Sequence, residues 1–211
     1  MNLTPHRLAF LMVIAFGVQL GCVAQVLFDR TTGDAFQGDT DVDEIDSIAL
    51  IDPMVVVLNA DGSRDSSVTD STKKILLAAL KDVIPEQITI AAFQTSADRQ
   101  HDLNNAVYHL MDGLADGKTS QVAQIIADLS DILERERVRF ALGILHFGRS
   151  VPRSQDQWSE MRCVIVDSQN RDVALFVWSH VYGHSPSEER VLRYQLSRAF
   201  KKYFKGLKGK R

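Results

Sequence analysis

His180 and His184 come nearest, by type and spacing, to a metal site. Four apart on a helix, two histidines share one face, as in helical zinc motifs. Val181, Tyr182 and Gly183 lie between them, so the glutamate that would act as general base is missing. On a strand, residues four apart also share a face but stand about 13 Å apart, too far for one ion unless a turn at Gly183 folds them together. Two readings stay open: strand-end histidines at a surface, or the paired ligands of a hydrolase or metal-binding protein. His146 lies in an apolar run and reads as a hydrogen-bonded sheet residue, while His101 and His109 have no third ligand in sequence. Cys163, within MRCVIVD, reads as a small buried hydrophobe, because a reactive thiol wants a neighbouring base and partial exposure. Nucleophile signatures such as G-x-S-x-G and Gly-rich phosphate loops are absent, and no catalytic residue, metal or cofactor is assigned.

Two segments suit contact rather than catalysis. The loop GRSVPRSQDQW over 148–158 displays Arg149, Arg153 and Trp158, residue types that anchor interfaces, although Trp158 also fits as the first residue packed by a following strand. The C-terminal KKYFKGLKGKR holds Lys201, Lys202, Lys205, Lys208, Lys210 and Arg211 with Tyr203, Phe204 and Leu207 interleaved. Cations there complement the carbonyl end of a helix dipole. They equally suit an anionic surface, in a contact that salt would weaken.

The leader decides where such contacts take place. Met1–Arg7 has Arg7 as its one charged side chain, and Leu8–Leu20 (LAFLMVIAFGVQL) is uncharged and almost wholly apolar. At 1.5 Å per residue that run spans roughly 20 Å, short of the ~30 Å hydrocarbon core, and has the form of an export signal. Gln19-Leu20-Gly21-Cys22 resembles a bacterial lipobox in Gly21 and Cys22 and departs from it at Gln19. Lipidation of Cys22 would anchor the chain stably, since it carries several acyl chains. Ordinary cleavage after Ala24, with Cys22 and Ala24 as the small residues, is the alternative, leaving a soluble periplasmic form. The expected organisation is a signal peptide over 1–21, a flexible tether over 22–44, a single domain over 45–207 and a basic tail over 208–211.

These residues need elements to hold them, and the chain can supply them. It has 211 residues, 45% hydrophobic and 24% charged, with a net charge of −3. That excludes a disordered chain, a collagen-like repeat and a coiled-coil rod, and argues against nucleic acid as a partner. Ser47–Leu58 predicts a first strand with a kink or bulge at Pro53, since proline cannot donate to a central ladder. A helix follows, capped by Thr69 or Asp70 and stopped by Pro85, then a strand over Ile88–Phe93. Helical spacing marks Asp102–Leu114 and Ser120–Arg137, the latter with Val122, Ile125, Ile126, Leu129, Ile132 and Leu133 on one stripe. Val138–Phe147 is the most apolar strand, and Arg162–Asp167 with Val173–Tyr182 reads as a β-hairpin. Ser185-Pro186-Ser187-Glu188 predicts the cap of a last helix running to about Leu207. The order β-α-β-α-α-β-β-β-α gives an α/β (α+β) domain, a single mixed sheet with helices packed on it.

A strand beginning IALIDP, the step Arg139–Leu142 and the hairpin VIVDSQNRDVALFVWS over Val164–Ser179 together resemble a group of bacterial envelope lipoproteins with a TolB amino-terminal-domain-like fold. The group includes the curli secretion-channel lipoprotein and lipoprotein activators of penicillin-binding proteins. Val166, Asp167 and Trp178 match its hairpin wording, whereas Gln169-Asn170 replaces the usual Thr-Gly and the spacing to Trp178 is longer. The resemblance implies a non-enzymatic envelope module without cofactor that docks on an envelope protein or self-associates.

Overall fold

The structure, a computed structural model, describes residues 31–32, 35–38, 40–117, 119–152, 154–201 and 203–205. The leader, Cys22, Ala24, Arg153, Lys202 and the tail over 208–211 lie outside the described residues. Among the described residues, eight strands form one mixed sheet with six strand positions, because two positions are each shared by two segments. β3 (Ser47–Leu50) and β4 (Met54–Leu58) run parallel to β6 (Phe140–Arg149), and β5 (Thr89–Ala92) pairs parallel with β3 at one edge. β7 (Trp158–Asp167) and β8 (Asp172–Tyr182) continue antiparallel from β6, and β1 (Thr31–Thr32) and β2 (Ala35–Gln37) close the far side on β8.

Helices cover both faces. α1 (Ser66–Val83) and α4 (Glu189–Phe200) bury Leu76, Leu80, Leu192, Leu196 and Phe200 against Ile48, Val57, Leu142, Ile144 and Ile165. α2 (Ala97–Ala115) and α3 (Thr119–Arg135) bury Leu103, Val107, Met111, Leu129 and Leu133 against Ala141, Val164, Val166 and Phe176 on the opposite face. The result is the mixed α/β class read from the sequence, with the sheet as the middle of three layers. Gly143 marks the closest approach of α2, because a Cβ there would come within 2.4 Å of Val107 Cγ1.

The break at Pro53 is a bulge. Leu50 stands opposite Leu142 and Met54 opposite Leu145, so β3–β4 advances four residues where β6 advances three. The extra residue sits where proline removes a donor. The most apolar strand, β6, is central, flanked by β7 on one side and by β3 and β4 on the other.

Several expectations need correction. Asp65 caps α1, its carboxylate accepting from Val68 N at 2.9 Å; Thr69 is instead buried, its hydroxyl accepting from Val57 N at 3.1 Å. Residues 31–32 and 35–37, inside the stretch read as a tether, pair with β8, since that edge offers unpaired main-chain groups. β6 runs through Arg149 and β7 starts at Trp158, so both side chains sit on strand ends, directly opposite each other, rather than in a loop. Glu188, not Ser185, occupies the N-cap of α4, and its side chain reaches back to accept from Ser185 N at 3.1 Å. The helix ends at Phe200, short of Leu207; Tyr203 and Phe204 turn in one 3-10 turn to bury their rings in the α1–α4 core.

Candidate functional site

Alternation along the central strands decides what the α2–α3 face presents. Ala141, Val164 and Phe176 lie under the helices. Continuing in steps of two along β6, β7 and β8 leads to Leu145 and Phe147, to Arg162, Glu160 and Trp158, and to Trp178, His180 and Tyr182 on that same face. The helix pair does not extend over this end. What remains is an open cleft of about 720 Å³ with Met54, Leu145, Phe147 and Trp158 on its sheet floor. Residues of early α1 (Thr69, Asp70, Lys73) form one wall, and Asn104 and Tyr108 of α2 form the other.

Aromatic rings run from the cleft across three strands. Phe147 meets Trp158 edge-on with centroids 5.1 Å apart, Trp158 lies 5.3 Å from His180, and His180 stacks on Tyr182 at 4.6 Å. Tyr182 and Tyr108 are the large apolar side chains most exposed among the described residues, at 45% and 43%. Several charges in the cleft are held in pairs. Glu160 takes Arg162 Nε at 2.6 Å, the same guanidinium reaches Asp112 at 3.3 Å and lies 5.8 Å from the Trp178 ring, and Lys73 binds Asp52 at 2.7 Å.

The two histidines take separate partners. His180 Nδ1 lies 3.6 Å from Glu160, whereas His184, beyond Gly183 at φ 75°, faces Glu188 at 3.7 Å and Arg190 at 3.3 Å. Burial lowers the His180 pKa, and nearby Arg162 lowers it further against the opposing pull of Glu160, so the ring is neutral at pH 7. Among the described residues no group of three His, Cys, Asp or Glu could hold a metal ion.

Two further titratable candidates, His146 and Cys163, are buried. His146 is fully buried, with Nε2 3.0 Å from the Pro186 carbonyl, and burial depresses its pKa to about 4. The buried Cys163 thiol is pushed up to about 12, far from a thiolate at neutral pH. Asp167 carries no solvent exposure and organises the β7–β8 turn. It accepts from Gln169 N (3.1 Å), Asn170 N (3.2 Å), Asn170 Nδ2 (2.9 Å), Thr40 Oγ1 (3.4 Å) and Arg139.

Of the contact residues read from the sequence, Trp158 lines the cleft and Arg149 donates to the Ala60 carbonyl beside it. Lys201 and Lys205 are exposed and follow α4, which packs on the other face of the sheet, so the fold does not join them to Trp158. Glu160, Arg162, Tyr182 and Tyr108 were not singled out in the sequence. The signal for Glu160, Arg162 and Tyr182 was the period-two wording WSEMR and WSHVY, in which a flanked strand places polar and aromatic residues on one face; Tyr108, on α2, had no such signal.

Fold and site together define a three-layer α/β protein with an open aromatic cleft at one end of its sheet. No family model matches the chain and no curated protein matches it. Among solved structures, the PelC dodecamer from Paraburkholderia phytofirmans aligns at 11% identity over 80% of this chain and 94% of that one, with a TM-score of 0.43. Lipoprotein GNA1162 from Neisseria meningitidis aligns at 12% identity over 78% of this chain and 98% of that one, with a TM-score of 0.34.

Proposed function

We propose that this chain is an exported bacterial envelope lipoprotein, anchored through a lipidated Cys22, that works as a non-enzymatic binding module. One observation carries the binding reading: an end of the sheet that the α2–α3 pair leaves open displays an aromatic run from Phe147 to Tyr182 beside ion pairs already satisfied within the cleft. Exposed rings with an apolar floor suit a partner that covers them, and the paired charges form its polar border. The leader and the Gly21-Cys22 junction supply the address. Among the described residues no helix is long and apolar enough to cross a membrane. The partner is an envelope protein or a second copy of this chain.

The test joins mass and proximity. Full-length protein expressed in a bacterium is purified from membranes and its intact mass measured, with a photo-crosslinking residue at position 182. The expected result is a chain beginning at Cys22 with a lipid adduct, crosslinked to an envelope protein or to itself. A chain beginning at Gln25 without adduct removes the anchor. Stoichiometric zinc that is lost in His184→Ala replaces the binding module with the metal-protein reading.

A further inference from the structure

The cleft has a second property, which lies in the main chain of β4. β5 ends at Ala92 opposite Leu50, and its line closes with Phe93 N donating to the Leu50 carbonyl at 2.8 Å. Past the bulge, β4 has β6 on one side; on the other, among the described residues, it meets only an isolated antiparallel bridge of Leu58 with Arg64 at its far end. The Leu58 carbonyl accepts from Ser150 N at 2.8 Å, which turns Leu58, Val56 and Met54 toward β6 and Val57 and Val55 outward. Val57 is satisfied there by α1: its N–H donates to Thr69 Oγ1 and its carbonyl accepts from Asp65 N at 2.9 Å. Val55 is not so satisfied. Its outward N–H and C=O have no partner among the described residues, although the residue is only 5% exposed and lines the cleft.

Unpaired main-chain groups on a buried residue are rare, because leaving them unmatched forfeits hydrogen bonds that water would have made. A donor and an acceptor side by side on one outward strand residue match the main chain of another strand. The walls fit such an occupant on both sides. Alternate side chains of an added strand would face the apolar shelf of Met54, Leu145, Phe147 and Tyr108, and the opposite set would face Asp70 and Lys73 of α1. We infer that the cleft receives an extended peptide segment of a partner protein, which adds a short strand to the sheet by pairing with Val55 and sets an apolar side chain on the shelf. Pairing of this kind takes affinity from the main chain and specificity from alternate side chains. Pro53 at the start of β4 keeps the site short, limiting it to a specific segment rather than any free edge. The inference rests on the binding-module reading and names the class of its partner.

Its test begins with linear heptapeptides displayed on phage and selected against the full chain in detergent. The best peptide is then titrated into isotope-labelled protein, and each of its amides is N-methylated in turn. The expected result is a shift of the Val55 amide resonance and a loss of affinity of tenfold or more at alternate N-methyl positions only. Val55→Pro, which removes an N–H that no internal strand bond uses, gives the same loss. The N-methyl series needs no variant that folds, so it decides the matter if Val55→Pro is unstable. No enriched peptide, a flat N-methyl series or an unmoved Val55 resonance overturns the inference. A chito-oligosaccharide that shifts Trp158 and Tyr108 without moving Val55 overturns it in favour of a glycan. If the residue-182 crosslink still finds an envelope neighbour while the N-methyl series is flat, the binding module stands and strand addition falls.

Discussion

His146 shows what burial does to one side chain. Its ring is enclosed under the Pro186 carbonyl and titrates at about 4, against 6.5 when exposed. The unfolded chain therefore binds the proton first, and stability falls as pH drops from 6.5 toward 4. A shift of this size corresponds to roughly 3 kcal/mol across that window. Denaturant unfolding at pH 7.5, 6, 5 and 4.5 should show the decline, and His146→Leu should flatten it relative to the parent chain. An unchanged slope in the variant would remove His146 as the cause. Asp167 is the converse case, a carboxylate kept fully buried because turn amides, Thr40 and Arg139 converge on it. Asp167→Ala leaves the turn amides of Gln169 and Asn170 without their acceptor and should cost about 2–3 kcal/mol by urea unfolding. His180 and His184 were a pair only in spacing. The turn at Gly183 gives them different carboxylates, Glu160 and Glu188.

Elements were legible where one physical rule decided them. The stripe from Val122 to Leu133 fixed α3, and Pro85 fixed the end of α1 one residue past its cap Ile84. Termini set by tertiary contacts were not. Thr69 is a good cap by type, yet its hydroxyl serves the edge of β4, and capping passes to Asp65. α3 ends through Arg137 at φ 58°, with Val138 N returning to the Leu133 carbonyl at 2.9 Å. That left-handed position favours glycine, so Arg137→Gly should raise stability by up to about 1 kcal/mol, a melting shift of about 2–4 °C. Gly143→Ala, by contrast, drives a methyl into Val107 and should cost about 1–3 kcal/mol. Val107→Ala on the same chain should recover part of that loss, because the two side chains share one space. Equal losses in the single and double variants would mean that the cost at Gly143 lies elsewhere.

At the scale of the molecule, the placement of the four described α-helices on the six described strand positions matters most. α1 and α4 cover one face, and α2 with α3 covers only part of the other, so the aromatic end of the sheet is left open. The basic end of α4 lies on the covered side. Lys201→Glu with Lys205→Glu should therefore leave any cleft ligand's affinity unchanged, while Trp158→Ala should weaken it by tenfold or more in a direct titration. Equal effects from both variants would place the binding surface somewhere other than this cleft. The sequence by itself determined the mixed α/β class, the order of the main elements, an interruption at Pro53 by kink or bulge, and the burial of Cys163. Each follows from local rules of hydrophobic period, proline geometry and apolar context. Only the tertiary structure decided which strands are neighbours, that residues 31–37 join the sheet, and that Trp158, Glu160, Arg162, His180 and Tyr182 share one open face. Those facts depend on register and on where helices stop covering the sheet, and both are set by contacts between residues far apart in the chain.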